Sequence, residues 1–153
     1  MKPDLSLAAL LIACAFALPA AAIDFSRKPQ AGSADALLSA DAAFRLVAVT
    51  QGRDAITVSW SIEPGYYLYR QRIAVEAVEP GIRLAAPQLP QGIAAHDEHF
   101  GDVQIYKSDL ELRLPLQPGA PVPKQLRLRW QGCAEAGVCY PPVTRVVDVV
   151  PAS

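Results

Sequence analysis

Between residues 43 and 150, apolar and polar side chains alternate with period two in short runs, the spacing of half-buried β-strands. In AITVSWSI, Ile56, Val58, Trp60 and Ile62 share one face, with Thr57, Ser59 and Ser61 on the other. LELRLPL sets Leu110, Leu112, Leu114 and Leu116 against Glu111, Arg113 and Pro115. LRLRWQ sets Leu126, Leu128 and Trp130 against Arg127 and Arg129, and FRLVAV, IAVEAV, VQIY and VTRVVDVV extend the set. Turn signals divide these runs: EPG at 63–65 and 79–81, LPQG at 89–92 and QPGAPVP at 117–123. No stretch beyond the N-terminal region sustains a helical period. The pattern predicts an all-β fold, an antiparallel β-sandwich of seven or more short strands in a single domain.

Composition narrows this picture. The chain has 153 residues, 52% hydrophobic and 19% charged, which suits one globular domain. Its 14 prolines fall largely between apolar runs, in keeping with strands joined by sharp corners. A net charge of −1 gives no basic surface for nucleic acid. Residues 1–22 read as an export signal: a short basic start, an apolar stretch too short to cross a bilayer, then Pro19 and small residues ending at Ala22. LIAC at 11–14 is an alternative, lipoprotein-like signal with Cys14 as the acylated residue. The apolar run continuing past Cys14 favours cleavage after Ala22. Residues 23–42 then form an N-terminal arm without period, and 43–153 the sandwich domain.

Export changes the meaning of the cysteines. With Cys14 removed, Cys133 and Cys139 in QGCAEAGVCYPP are the remaining thiols in an oxidising compartment, where they are expected to meet as a disulfide. Three readings stand at this point. As a structural staple the bridge closes a ring of about seven residues, which the chain-entropy argument values at roughly 2.4 kcal/mol. As a zinc site, the two sulfurs with His96 and His99 would complete four ligands, although C-x5-C is wider than usual. As a redox pair, the sulfurs are approachable past Ala134, Ala136 and Gly137, while Tyr140, Pro141 and Pro142 stiffen the exit. Glu135 between the cysteines would disfavour a thiolate.

WQGCAEAGVCYPP at 130–142 resembles the active-site segment of the N-terminal periplasmic domain of the thiol:disulfide interchange protein DsbD. PGYYLYRQRI at 64–73 and LPQGIAAHDEHFGDVQIYKSDLELRLPL at 89–116 resemble the same domain, in the same order. The resemblance runs from about Ala43 to Val150 and implies an immunoglobulin-like β-sandwich. It implies a protein-disulfide reductase activity, a periplasmic monomer needing no cofactor and no metal, because the two sulfurs carry the electrons. Electrons would come from a DsbD-type membrane or thioredoxin-like donor and pass to thioredoxin-fold proteins such as disulfide isomerases and cytochrome c maturation thioredoxins. Cys139 resembles the cysteine that forms mixed disulfides with partners, and Cys133 the one that resolves them. Tyr67 and Tyr69 match tyrosines near the disulfide, and Asp97 and Glu98 an acidic pair beside it.

In the family this acidic loop caps the disulfide with an aromatic ring. DEHFG puts His99 where the family usually has phenylalanine, and Phe100 where it usually has tyrosine. Either His99 caps as a flat ring or Phe100 takes over. A titrating His99 would make exchange pH-sensitive. The family's usual member also continues into a membrane domain, so the electron source is expected in another molecule or segment. The competing class is a non-catalytic immunoglobulin-like binding module with a structural disulfide.

Overall fold

A computed structural model of the chain describes residues 37–152; the expected export signal with Cys14, and residues 23–36 of the expected arm, lie outside the described residues. A single helical turn, Ala40–Ala43, opens the described part, with the Ser39 hydroxyl accepting from the amide of Ala42. Twelve strands follow: β1 (Phe44–Gln51), β2 (Ala55–Ile62), β3 (Tyr66–Tyr69), β4 (Ala74–Ala77), β5 (Ile93–Asp97), β6 (Gly101–Tyr106), β7 (Leu110–Pro115), β8 (Gln125–Trp130), β9 (Gly132–Ala134), β10 (Val138–Cys139), β11 (Val143–Asp148) and β12 (Val150–Pro151). They form three sheets, ordered β12-β1-β2-β7, β10-β9-β3-β6-β5 and β11-β8-β4. Every pairing is antiparallel except the short parallel β1–β12 contact. The fold is the immunoglobulin-like β-sandwich that the alternation and the resemblance both lead to.

The period-two runs bury the faces expected of them. Ile56, Val58 and Trp60 of β2, Leu110, Leu112 and Leu114 of β7, and Leu126, Leu128 and Trp130 of β8 fill the space between the sheets. Trp60 and Trp130 meet edge to face, with centroids 5.8 Å apart. Each such leucine contributes about 1.5–3 kcal/mol by leaving water. The last part of the expected arm is docked rather than loose. The amide of Leu38 donates to the Tyr66 hydroxyl (2.8 Å), its carbonyl accepts from the Tyr140 hydroxyl (2.6 Å), and Ala43 is fully buried. Those partners are 28 and 102 residues away, so local sequence carries no sign of them.

What positions the site is a shared break in two neighbouring strands. β3 ends at Tyr69, a 3-10 turn (Arg70–Arg72) follows, and the chain resumes as β4; opposite, β8 ends at Trp130 and β9 starts at Gly132. The Tyr69 amide donates to the Gln131 carbonyl (3.0 Å) at the crossing, so both chains change sheet at the same level. β3 keeps its alternation through this step. Tyr66 and Leu68 face the main core, whereas Tyr67 and Tyr69 face away from it.

Gly132 permits the close approach of β3 and β9. A Cβ there would lie 2.2 Å from the Tyr67 carbonyl oxygen and 2.6 Å from Phe44 Cζ. Any side chain would push the strands apart.

Candidate redox site

Cys133 and Cys139 sit on strands, not in the loop that the run of small residues suggests. β9 and β10 form a hairpin with Ala134 paired to Val138 and Cys133 directly opposite Cys139. Three residues, 135–137, make the turn; Gly137 closes it at φ +86°, and its amide donates to the Ala134 carbonyl (3.0 Å). The two cysteines are joined as a disulfide. Their surroundings differ sharply: Cys133 is fully buried, and Cys139 is exposed at the hairpin edge.

Cys133 belongs to a second, smaller core on the far face of the five-stranded sheet, with Tyr69, Val103 and Ile105. Tyr67, Ala95 and Phe100 pack against its margin. The Tyr69 hydroxyl lies 3.2 Å from the Cys133 sulfur, 3.9 Å from the Cys139 sulfur and 3.5 Å from the Tyr67 hydroxyl. It donates its proton to Asp97 Oδ2. Asp97 Oδ1 in turn accepts the amides of His99 (2.8 Å) and Phe100 (2.9 Å), which shapes the turn between β5 and β6. Donation from Tyr69, aided by these two amides, holds the Asp97 carboxyl below the usual carboxylate range despite the opposing effect of burial. Burial first, and the bond to Asp97 next, push the Tyr69 phenol well above its ordinary value.

This arrangement has a chemical consequence. With its proton committed to Asp97, the Tyr69 oxygen presents lone pairs to the sulfurs, and the carboxylate behind it adds negative charge. Both place electron-rich oxygen, rather than a cation or a donor, beside the buried sulfur.

The remaining expected residues surround this centre in different ways. Glu98 and His99 are exposed, and with Tyr67, His96, Asp97, Gly137 and Cys139 they line a shallow groove leading to the outer sulfur. Phe100 is half-buried, its ring edge-on to Tyr69 with centroids 5.2 Å apart. Glu135 is exposed and paired with Lys107 at 2.8 Å, so its charge is partly answered. His96 pairs with Asp102 at 2.8 Å across the β5–β6 hairpin. Among the described residues, no three His, Cys, Asp or Glu side chains gather as a metal site.

Arg72, Val103 and Ile105 are members of the site that sequence patterns do not single out. The Arg72 guanidinium stands 4.1 Å over the Phe100 ring. Arg72 lies inside PGYYLYRQRI, but a lone exposed cation carries no mark of a ring far along the chain. Val103 and Ile105 belong to VQIY, where they read simply as strand residues.

Comparison with known proteins agrees with this geometry. The family described as thiol:disulfide interchange protein DsbD, N-terminal, matches residues 34–151. The chain is 40% identical to thiol:disulfide interchange protein DsbD 2 of Pseudomonas aeruginosa, covering 79% of this chain and 19% of that protein. It is 47% identical to thiol:disulfide interchange protein DsbD of Yersinia pestis, covering 74% and 19%. It therefore spans about a fifth of the length of these relatives. Among solved structures it is similar to the reduced DsbD N-terminal domain of Neisseria meningitidis, with TM-score 0.67, 32% identity, and coverage of 78% of this chain and 94% of that one. A second similar structure is the complex between the DsbD N-terminal and PilB N-terminal domains of the same organism, with TM-score 0.64, 33% identity and coverage of 73% and 86%.

Proposed function

The chain belongs to the family of DsbD N-terminal domains, the thiol:disulfide interchange proteins, and from that premise we propose that it shuttles electrons to partner proteins through Cys133 and Cys139. The observation that carries the reading is the unequal exposure of two bonded sulfurs, Cys139 at the surface and Cys133 fully buried. Exchange needs one sulfur that another protein can reach and a second held ready to displace it.

In the reducing direction, the Cys139 thiolate attacks one sulfur of a partner disulfide, and the partner's other sulfur leaves as a thiolate that takes up a proton. Cys133, losing its proton, then attacks Cys139 Sγ, expels the partner's second sulfur and restores the intramolecular disulfide. Two electrons and two protons pass to the partner, and a donor dithiol resets the pair by the reverse sequence. No cofactor is required. The groove beside Cys139 suits a partner presenting a narrow edge around its own reactive cysteine, as a thioredoxin-fold protein does. A solved relative in complex with a PilB domain supports docking of this kind. Disulfide isomerases, cytochrome c maturation thioredoxins and a DsbD-type donor are the partner classes this reading names. The periplasm is the compartment, with residues 1–22 as the export signal and the domain acting as a monomer. Asp97, Glu98, Tyr67 and Tyr69 form the surround that holds the resting disulfide, and Phe100 and His99 its guard.

The test is to trap the intermediate. A Cys133→Ala variant mixed with an oxidised thioredoxin-fold protein is expected to accumulate a mixed disulfide through Cys139, seen on a non-reducing gel and mapped by mass spectrometry. Cys139→Ala is expected to trap none. Failure of Cys133→Ala to trap any partner, together with a reduction potential below about −300 mV, would overturn the reading in favour of a structural staple.

A further inference from the structure

Asp97, Glu98 and His99, in the turn that joins β5 to β6, form one wall of the groove at Cys139, and the turn from Asp97 to Phe100 is held at its two ends by different means. At its start, Asp97 is bonded to Tyr69 and to two loop amides. At its end, the Phe100 ring packs at right angles to the Tyr69 ring, and the guanidinium of Arg72 stands 4.1 Å over it. Arg72 comes from the 3-10 turn where β3 leaves for β4, an element belonging to the sheet framework rather than to the loop. Among the described residues it forms no ion pair. Its cation faces the ring instead. Guanidinium is weakly hydrated and planar, so an exposed aromatic face holds it without the dehydration an ammonium would incur.

We propose that Arg72 is a positioning residue for exchange: it latches Phe100 onto Tyr69, keeps the loop closed, and so sets how often the groove admits a thiolate to Cys139. The proposal rests on the exchange reading above and assigns it a control point. His99, exposed at the tip, rides on the loop, and Phe100 is its fixed end. Because a guanidinium stays charged across the accessible pH range, the latch holds at any pH at which Asp97 keeps the loop's other end.

The experiment uses a small thiol, so it is independent of any protein partner. The disulfide of the intact protein is reduced by dithiothreitol, and the rate is followed as thiol appears. Arg72→Gln is expected to react about two- to fivefold faster, the range corresponding to loss of an exposed cation–π contact. Arg72→Lys, which keeps a cation over the ring, is expected to restore most of the parent rate. The decisive comparison is in a Phe100→Leu background, where Arg72→Gln is expected to have no further effect, because the two side chains act as one unit.

Two results would overturn the proposal. One is an Arg72→Gln rate equal to the parent's. The other is the same acceleration with and without the Phe100 ring, which would mark a general loosening of the fold. If the mixed-disulfide experiment failed while these rates behaved as expected, the latch would stand and the partner reading would fall.

Discussion

β3 and β9 each have two faces, and the faces do different work. Toward the interior, Leu68 and Ala134 join Ile56, Leu112, Leu126 and Leu128 in a core of carbon packed on carbon. On the opposite face, one residue along, Tyr69 and Cys133 lie over Val103 and Ile105, with two phenols, a carboxylate and a disulfide in contact. The first core gains its stability from area removed from water, which is insensitive to pH and to redox state. The second is small and combines apolar packing with directed bonds whose strength depends on where protons reside. A scaffold that must stay folded while a disulfide opens and closes benefits from this separation. The bond that changes lies outside the core that holds the sheets together.

That contrast can be broken from either side. Leu128→Ala cuts into the main core and is expected to cost about 2–5 kcal/mol in denaturant unfolding. The dithiothreitol rate of the folded protein should remain at the parent value. A large change in that rate would show the two cores to be coupled.

Reducing the Cys133–Cys139 bond is expected to lower stability by roughly 2 kcal/mol, the loop-entropy value for so small a ring, while far-UV circular dichroism keeps its β signature. Unfolding on reduction would make the disulfide a staple of the whole domain.

Tyr69→Phe removes one hydroxyl from the second core and should cost about 1 kcal/mol, in line with one buried hydrogen bond. It also moves a titration. In the parent, Asp97 is held below its unfolded value, chiefly by the Tyr69 bond. Its contribution is therefore present above about pH 3.9, the ordinary aspartate value, and is lost as pH falls through the lower folded value. In Tyr69→Phe the Asp97 carboxyl should titrate closer to its ordinary value, as read by carboxyl chemical shifts, and the acid-dependent loss of stability should shrink. An unchanged Asp97 titration would mean that the loop amides alone hold the carboxylate.

At the small end, Arg145→Ala breaks an exposed pair with Asp41, between β11 and the opening helical turn. Its effect should stay below about 1 kcal/mol and leave exchange untouched.

Much of the fold is legible in short stretches. The alternations in AITVSWSI, LELRLPL and LRLRWQ correspond to β2, β7 and β8 with the buried faces they imply. Strand β5 is not legible in this way, because IAAHD carries no strong alternation and most of its residues are exposed. The cysteine hairpin is not legible as strands, because Ala, Glu and Gly carry little strand preference and the pairing comes from β3 alongside. The helical turn at Ala40–Ala43 is too short to show a period, and the docking of Leu38 depends on two distant tyrosines.

At the site, motif likeness marks the residues, and the folded chain sets their arrangement. Local sequence, by period and turn chemistry, determined that the chain forms a sandwich and that its cysteines lie close enough to bond. Tertiary structure alone decided which sulfur is buried, that Tyr69 gives its proton to Asp97 28 residues away, and that Arg72 settles on Phe100. The physical reason is one of range. Side-chain alternation is a property of neighbours along the chain, whereas burial and hydrogen bonding depend on which strands the shared break at Tyr69 and Gln131 brings side by side.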